Sequence, residues 1–246
     1  MTDQELAALL AREAGTLLLA VRAELADAAP EERKAAGDRR SHEFLMTALA
    51  AERPDDAVLS EEGPQEDADP ARVSAPRVWI VDPLDGTREF SELGRTDWAV
   101  HVALWESGEL VAGAVALPAQ DITLATPSVP APPPAPDVPR IVVSRTRPPA
   151  IALAVKDALG GQLVEMGSAG AKVASVVQGL SDVYVHAGGQ YEWDSAAPVA
   201  VARAAGLHTS RIDGSPLLYN QRDPKLPDLI VCRPELAEAV LAVTAG

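Results

Sequence analysis

Leu6, Leu9, Leu10, Ala14, Leu17, Leu18, Val21 and Leu25 recur at the spacing that lays one apolar stripe along an α-helix. Thr2 and Glu5 stand ahead of it at capping-box spacing, so a helix is predicted from the first residues onward. Residues 29–40 are charged and lack the stripe, which predicts a loop or a mobile hairpin. Phe44, Leu45, Ala48 and Leu49 then share one face of a second helix, from about Ser41, and Pro54 ends it. Residues 57–60 read as a short strand running into Glu61 and Glu62. Residues 63–75 are polar and contain proline, the pattern of a surface loop. Residues 77–81 form a strand pattern, and 98–105 and 110–117 read as a hairpin, with 122–125 as a third strand beside it.

Residues 127–139 hold Pro130, Pro132, Pro133, Pro134, Pro136 and Pro139. Proline brings no N–H donor, so this stretch predicts a stiff surface connection and the boundary between two domains, 1–129 and 130–246. Beyond it, strand patterns at 141–143, 162–164, 182–185 and 229–231 alternate with helical ones at 150–159, 169–178, 193–205 and from about Glu235. That alternation predicts an α/β second half behind an α+β first half.

A chain of 246 residues is long enough for one large domain or two small ones that share a core. Apolar residues make up 47% and aromatics only 4%, so Ala, Val, Leu and Ile must build that core. The net charge of −15 repels a nucleic-acid polymer or an anionic membrane. It repels a small phosphate ester as well, unless a cation stands between. Cys232 is the single cysteine, which excludes an intrachain disulfide, and its apolar neighbours predict a buried structural thiol. The acidic start Met1–Glu5 lacks the basic and apolar regions of a signal peptide, and no apolar run nears the ~20 residues of a membrane helix. A cytoplasmic enzyme is expected, as a monomer or a homodimer.

The chemistry concentrates in Asp82-Pro83-Leu84-Asp85-Gly86-Thr87, directly after a predicted strand. A turn there aims Asp82, Asp85 and the Leu84 carbonyl at one point. Oxygen donors with no His or Cys suit a hard cation such as Mg²⁺. Gly86 and Thr87 would open a helix whose free N–H groups suit a phosphate; an ordinary Asp-Gly turn is the plainer reading. Two more acidic positions follow strand or helix boundaries: Glu61, beside Glu62, which reads otherwise as a solvated pair, and Asp194 in Glu192-Trp193-Asp194, which reads otherwise as a helix cap. His42, His101, His186 and His208 sit in no motif and read as structural or surface residues.

Taken in order, the acidic pair, the D-P-x-D-G-T segment and W-D-x-A-A resemble the inositol monophosphatase superfamily of metal-dependent, lithium-sensitive phosphatases. The resemblance runs from the first helix to Asp194. Residues 143–147, 167–172, 179–184 and 213–220 are most similar to its CysQ-type branch, which acts on 3′-phosphoadenosine 5′-phosphate. The resemblance implies a layered αβαβα sandwich and two or three Mg²⁺ ions. Glu61, Asp82 and the Leu84 carbonyl would hold one, and Asp82, Asp85 and Asp194 a second. Thr87 and Glu61 would orient the attacking water, with Asp38 completing the relay. Gly86, Thr87, Arg147, Gly167, Ser168, Lys172 and Asp194 would line the substrate side. The implied reaction is removal of the 3′-phosphate of adenosine 3′,5′-bisphosphate by water, without a phosphoenzyme. 3′-Phosphoadenylyl sulfate is a further substrate on that reading. The alternatives are inositol-1-phosphatase, fructose-1,6-bisphosphatase or promiscuous phosphatase activity, or a non-catalytic sensor.

The chain departs from the pattern at two places. Ala35-Ala36-Gly37-Asp38 replaces the family's longer Thr-containing segment, so Asp38 reads equally as a helix N-cap. His186-Ala187-Gly188-Gly189-Gln190 carries neither the Glu of inositol enzymes nor the Arg common among nucleotide-specific ones; Arg145, Arg147 and Lys172 are the alternative phosphate partners.

Overall fold

In the computed structural model, which describes residues 1–63 and 70–246, the first apolar stripe is α1 (Asp3–Glu24). Its capping box is complete. The Thr2 hydroxyl accepts the Glu5 N–H at 3.2 Å, and the Glu5 carboxylate accepts the Thr2 N–H at 2.8 Å. The second helix, α2 (Pro30–Glu52), starts far earlier than expected, so residues 29–40 are not a loop. Pro30 sits in the first turn, where a missing N–H breaks no helical bond. Glu31 and Glu32 favour the positive end of the helix. The buried face here is Arg33, Ala36 and Gly37, which leaves no aliphatic stripe to read. Arg33 anchors this turn by donating to the carbonyls of Leu25, Ala26, Ala28 and Ser91.

The first sheet has the order β1 (Ala57–Ser60), β2 (Arg77–Asp85), β3 (Ala99–Glu106), β4 (Glu109–Leu117), β5 (Ile122–Ala125). β1 runs parallel to β2 and the rest are antiparallel. Of the segment expected as a surface loop, 70–74 form a short helix, α3 (Pro70–Ser74), and 64–69 lie outside the described residues. α4 (Thr87–Ser91) follows β2 directly. The proline-rich stretch 127–139 contains no regular element, as its composition requires.

The second sheet has the order β7-β6-β8-β10-β9. It comprises β6 (Arg140–Ser144), β7 (Gln162–Met166), β8 (Val183–Ala187), β9 (His208–Ser210) and β10 (Asp228–Cys232). β6 is parallel to both β7 and β8, whereas β10 is antiparallel to β8 and β9. β9, three residues long, gave no pattern to detect. Helices α5 (Ala150–Ala158), α6 (Ala169–Val177), α7 (Glu192–Ala204) and α8 (Ala237–Thr244) complete the second half.

Strand alternation sorts the core into three clusters. Trp79, Val81, Val100 and Val102 face α1 and α2. Val78, Ile80, Ala99 and Ala103 turn the other way, toward α6 and α7, which also meet Val142, Tyr184 and Val231 of the second sheet. Ile141, Val143, Val183 and Ile230 pack outward on α5 and α8. The result is the expected αβαβα sandwich, with α6 and α7 as a middle layer between the sheets.

Candidate active site

Parallel pairing of β1 with β2 sets Ser60 opposite Val81. The next residues, Glu61 and Asp82, therefore lie side by side, and their carboxyls meet. The D-P-x-D segment is not a free turn. It continues β2 as far as Asp85, with an irregular register between Asp82, opposite His101, and Asp85, opposite Ala99. That bulge re-aims the side chains, and the Leu84 N–H donates to Asp82 Oδ1 at 3.0 Å. Asp194 arrives from α7, where its carboxylate accepts the Tyr191 N–H at 2.7 Å. It is a capping-box residue and a member of the cluster at once. Oxygens of Asp82, Asp85 and Asp194 all lie within 4.8 Å of one another.

Asp85 meets the start of α6. Its carboxylate accepts the Ala169 N–H at 3.1 Å, the Gly170 N–H at 2.6 Å and the Ser168 hydroxyl. Gly86 has φ of 82°, and a Cβ there would fall 2.9 Å from Ser168 Cβ, so glycine is required on both counts. On the opposite flank, Thr87 Oγ1 lies 3.1 Å from the Leu84 carbonyl and 3.4 Å from Asp38 Oδ1. Asp38 lies inside α2, which rules out the N-cap reading. α2 docks here through Ser41, whose hydroxyl donates to the Pro83 carbonyl at 2.7 Å, and through Gly37 against Phe90 and Leu84.

The electrostatics divide these acids. Burial, then the charge of Asp194, pushes Glu61 up to about 7. Burial and the Glu61 and Asp85 charges push Asp82 well above the usual carboxylate range. Burial and Asp85 push Asp194 up to about 6, and burial with Glu62 pushes Asp38 up to about 7. Asp85 behaves oppositely. Burial would raise it, but His101, the Ser168 hydroxyl and the Gly170 N–H hold it down at about 2. Among the described residues no Lys or Arg ion-pairs with Glu61, Asp82 or Asp194. An all-oxygen donor set, largely shielded from water, whose charges repel is what a hard divalent cation resolves. The residues present therefore fit such a cation.

The substrate-side residues are only partly gathered. Ser168 and Lys172 are buried beside Asp85; the Lys172 Nζ donates to the Ser168 carbonyl at 2.6 Å and lies 5.4 Å above the Tyr184 ring. The Gly167 N–H donates to Asp97 at 2.6 Å. Arg147 is exposed. Arg145 is held by Glu89 and Glu92, which makes it a poor phosphate partner. Burial lowers the pKa of His186, and its Nε2 is engaged by the Gly188 carbonyl at 2.8 Å. His101, expected as a structural or surface residue, is buried within 3.3 Å of Asp85 and 3.9 Å of Asp82. A polar residue between Ala99 and Ala103, on the inward face of an apolar strand, was the signal.

Carboxylates delivered by three chain segments to the middle of an αβαβα sandwich define a metal-dependent class of enzyme. The chain belongs to the inositol monophosphatase family, which it matches over residues 3–128 and 140–245. It is 53% identical over 242 residues to a 3′-phosphoadenosine 5′-phosphate phosphatase of Mycobacterium tuberculosis, covering 95% of this chain and 90% of that one. The corresponding Mycobacterium leprae protein is 50% identical over 258 residues, with 99% and 93% coverage. Among solved structures, CysQ from Bacteroides thetaiotaomicron superposes with a TM-score of 0.77 at 28% identity, covering 94% of this chain and 98% of that one.

Proposed function

We propose that this chain is a Mg²⁺-dependent phosphatase that hydrolyses the 3′-phosphate of adenosine 3′,5′-bisphosphate to AMP and phosphate. The observation that carries this reading is the 53% identity, over nearly both full lengths, to a phosphatase named for that substrate. The donor set supports it: Glu61, Asp82 and the Leu84 carbonyl would hold one Mg²⁺, and Asp82, Asp85 and Asp194 a second. Bound there, the cations neutralise charge on phosphate oxygens and acidify water.

The protein's own groups position the reaction. Thr87 Oγ1, held between the Leu84 carbonyl and Asp38, orients the attacking water together with Glu61. The water oxygen bonds to phosphorus as the bond from phosphorus to the ribose 3′ oxygen breaks. The water proton passes toward Thr87 and Asp38, and the leaving oxygen is protonated from solvent. Asp38, set near neutrality by its surroundings, suits that relay. Gly86, Gly167, Ser168 and Lys172 line the substrate, and Arg147 meets its distal phosphate. We read residues 1–129 and 130–246 as the two domains, with the site at their junction. Lithium sensitivity, a cytoplasmic place and removal of an inhibitory by-product of sulfate activation belong to the same reading.

Phosphate release from adenosine 3′,5′-bisphosphate, inositol 1-phosphate and fructose 1,6-bisphosphate, each with Mg²⁺ or chelator, tests it. The nucleotide is expected to lead in kcat/KM by about tenfold or more, the worth of one well-placed polar contact. A lead for inositol 1-phosphate would reassign the substrate.

A further inference from the structure

The imidazole of His101 has no exposed surface and stands where three site-bearing elements meet. It projects from β3 on the face shared by Ala99 and Ala103. Its Nδ1 lies 3.0 Å from the Trp193 carbonyl, in the peptide that leads into Asp194. A carbonyl only accepts, so Nδ1 carries a proton and donates it. Both ring nitrogens also face the D-P-x-D segment, Nδ1 lying 3.9 Å from Asp82 Oδ2. Nε2 is 3.3 Å from Asp85 Oδ2, without lining up as a hydrogen bond. α6 closes over the same nitrogen: a Cβ at Gly170 would fall 2.0 Å from Nε2, so only glycine lets its first turn approach.

Resting on the metal-dependent reading above, we infer that His101 is a positioning residue that fixes the separation of Asp85 and Asp194. Those two carboxylates arrive on different halves of the chain, and nothing covalent near the site joins them. Asp85 is already held on one side by Ser168, Ala169 and Gly170, and Asp194 by the Tyr191 N–H. The ring is the rigid spacer between these two held groups. A spacer of fixed length sets the size of the cage it spans. Mg²⁺ demands a small, regular oxygen shell, whereas Ca²⁺ tolerates a wider and looser one. His101 therefore acts on cation choice more than on cation charge.

Two variants separate its two ends. In His101→Asn the side-chain amide still reaches the Trp193 carbonyl but falls short of Asp85. In His101→Gln the amide reaches toward Asp85 and gives up the Trp193 bond. Isothermal titration of each full-length protein with Mg²⁺ and with Ca²⁺ reads the cage directly. Thermal melting in chelator reads the fold.

Mg²⁺ affinity is expected to fall about 10- to 100-fold in both variants, the range for residues that orient metal ligands. Ca²⁺ affinity is expected to change less than about threefold, since the looser shell suits it. An unchanged ratio of Mg²⁺ to Ca²⁺ affinity, with or without a lower Tm in chelator, would leave His101 as packing alone and overturn the inference. If the unaltered protein binds neither cation, the metal reading itself falls and takes the inference with it.

Discussion

Two groups of buried acids behave in opposite ways in this molecule. Asp182, with no exposed surface, sits between two guanidiniums: Arg140 Nε at 2.9 Å and Arg233 Nε at 2.7 Å. Burial raises its pKa, but those bonds outweigh it and hold the carboxyl below the usual range. Asp82 is buried, and Glu61 and Asp194 partly so, yet these three face one another, and all are pushed up. The first group carries its counter-charge in the chain, while the second is arranged to take it from solution. Burial of an acid is thus no mark of function by itself; burial without an internal cation is the informative case.

The sharpest way to break this contrast is to neutralise one acid in each group. Asp82→Asn should lower kcat/KM by about a thousandfold, since the charge stabilisation lost is several kcal/mol. Its Tm in chelator should hardly move, because the amide resembles the protonated acid the cation-free site favours. Asp182→Asn should do the reverse, costing about 3–5 kcal/mol because buried Arg233 is left with only the exposed Glu235, 3.9 Å away, as counter-charge. Activity per folded molecule should stay within about twofold, as for any site far from the chemistry. Denaturant melts and steady-state kinetics on both variants check the pair. A stability loss in Asp82→Asn equal to that in Asp182→Asn would erase the distinction.

Acidity sharpens it further. Glu61 holds its proton to about pH 7 when folded and to about pH 4.3 when unfolded, so this group's contribution to stability is lost as pH rises between those values. Asp182, held low in the fold, contributes above its unfolded pKa and loses that contribution as the solution turns acid. On the proposed reading a bound cation would displace the Glu61 proton, so the gain in Tm on adding Mg²⁺ should be larger at pH 8 than at pH 5.5. Scanning calorimetry with and without Mg²⁺ measures it, and an equal gain at both pH values counts against proton displacement. The smallest effect concerns the floor of the site. A Cβ at Gly37 would lie 2.7 Å from Phe90 and 2.8 Å from Leu84, so Gly37→Ala should cost about 1–3 kcal/mol by overpacking. It should also lower kcat, since α2 carries Asp38 of the proposed relay.

Much of this was legible in the sequence because it rests on periodicity and on short motifs. The stripe from Leu6 to Val21 and the run through Val78–Val81 announce elements buried along their length. Asp82, Asp85 and Asp194 could be matched because their local contexts are distinctive. The first turns of α2 were illegible for a physical reason. Their packing uses Arg33 on carbonyls and Gly37 in a close approach, and neither resembles an apolar stripe. His101 escaped because its partners, Asp85 and the Trp193 carbonyl, are distant in sequence and meet only in the folded chain. The bulge between Asp82 and Asp85 depends on pairing with β3, which no local reading contains.

The helical state of residues 30–40 has a consequence for timing. A hairpin carrying Asp38 would have to surrender its backbone freedom each time cation and substrate arrived, at about 1–2 kcal/mol per residue. In α2 that freedom is given up once, when the chain folds. Asp38 and Thr87 are then already in register, and on the proposed relay the segment beneath them would contribute no ordering step to the catalytic cycle.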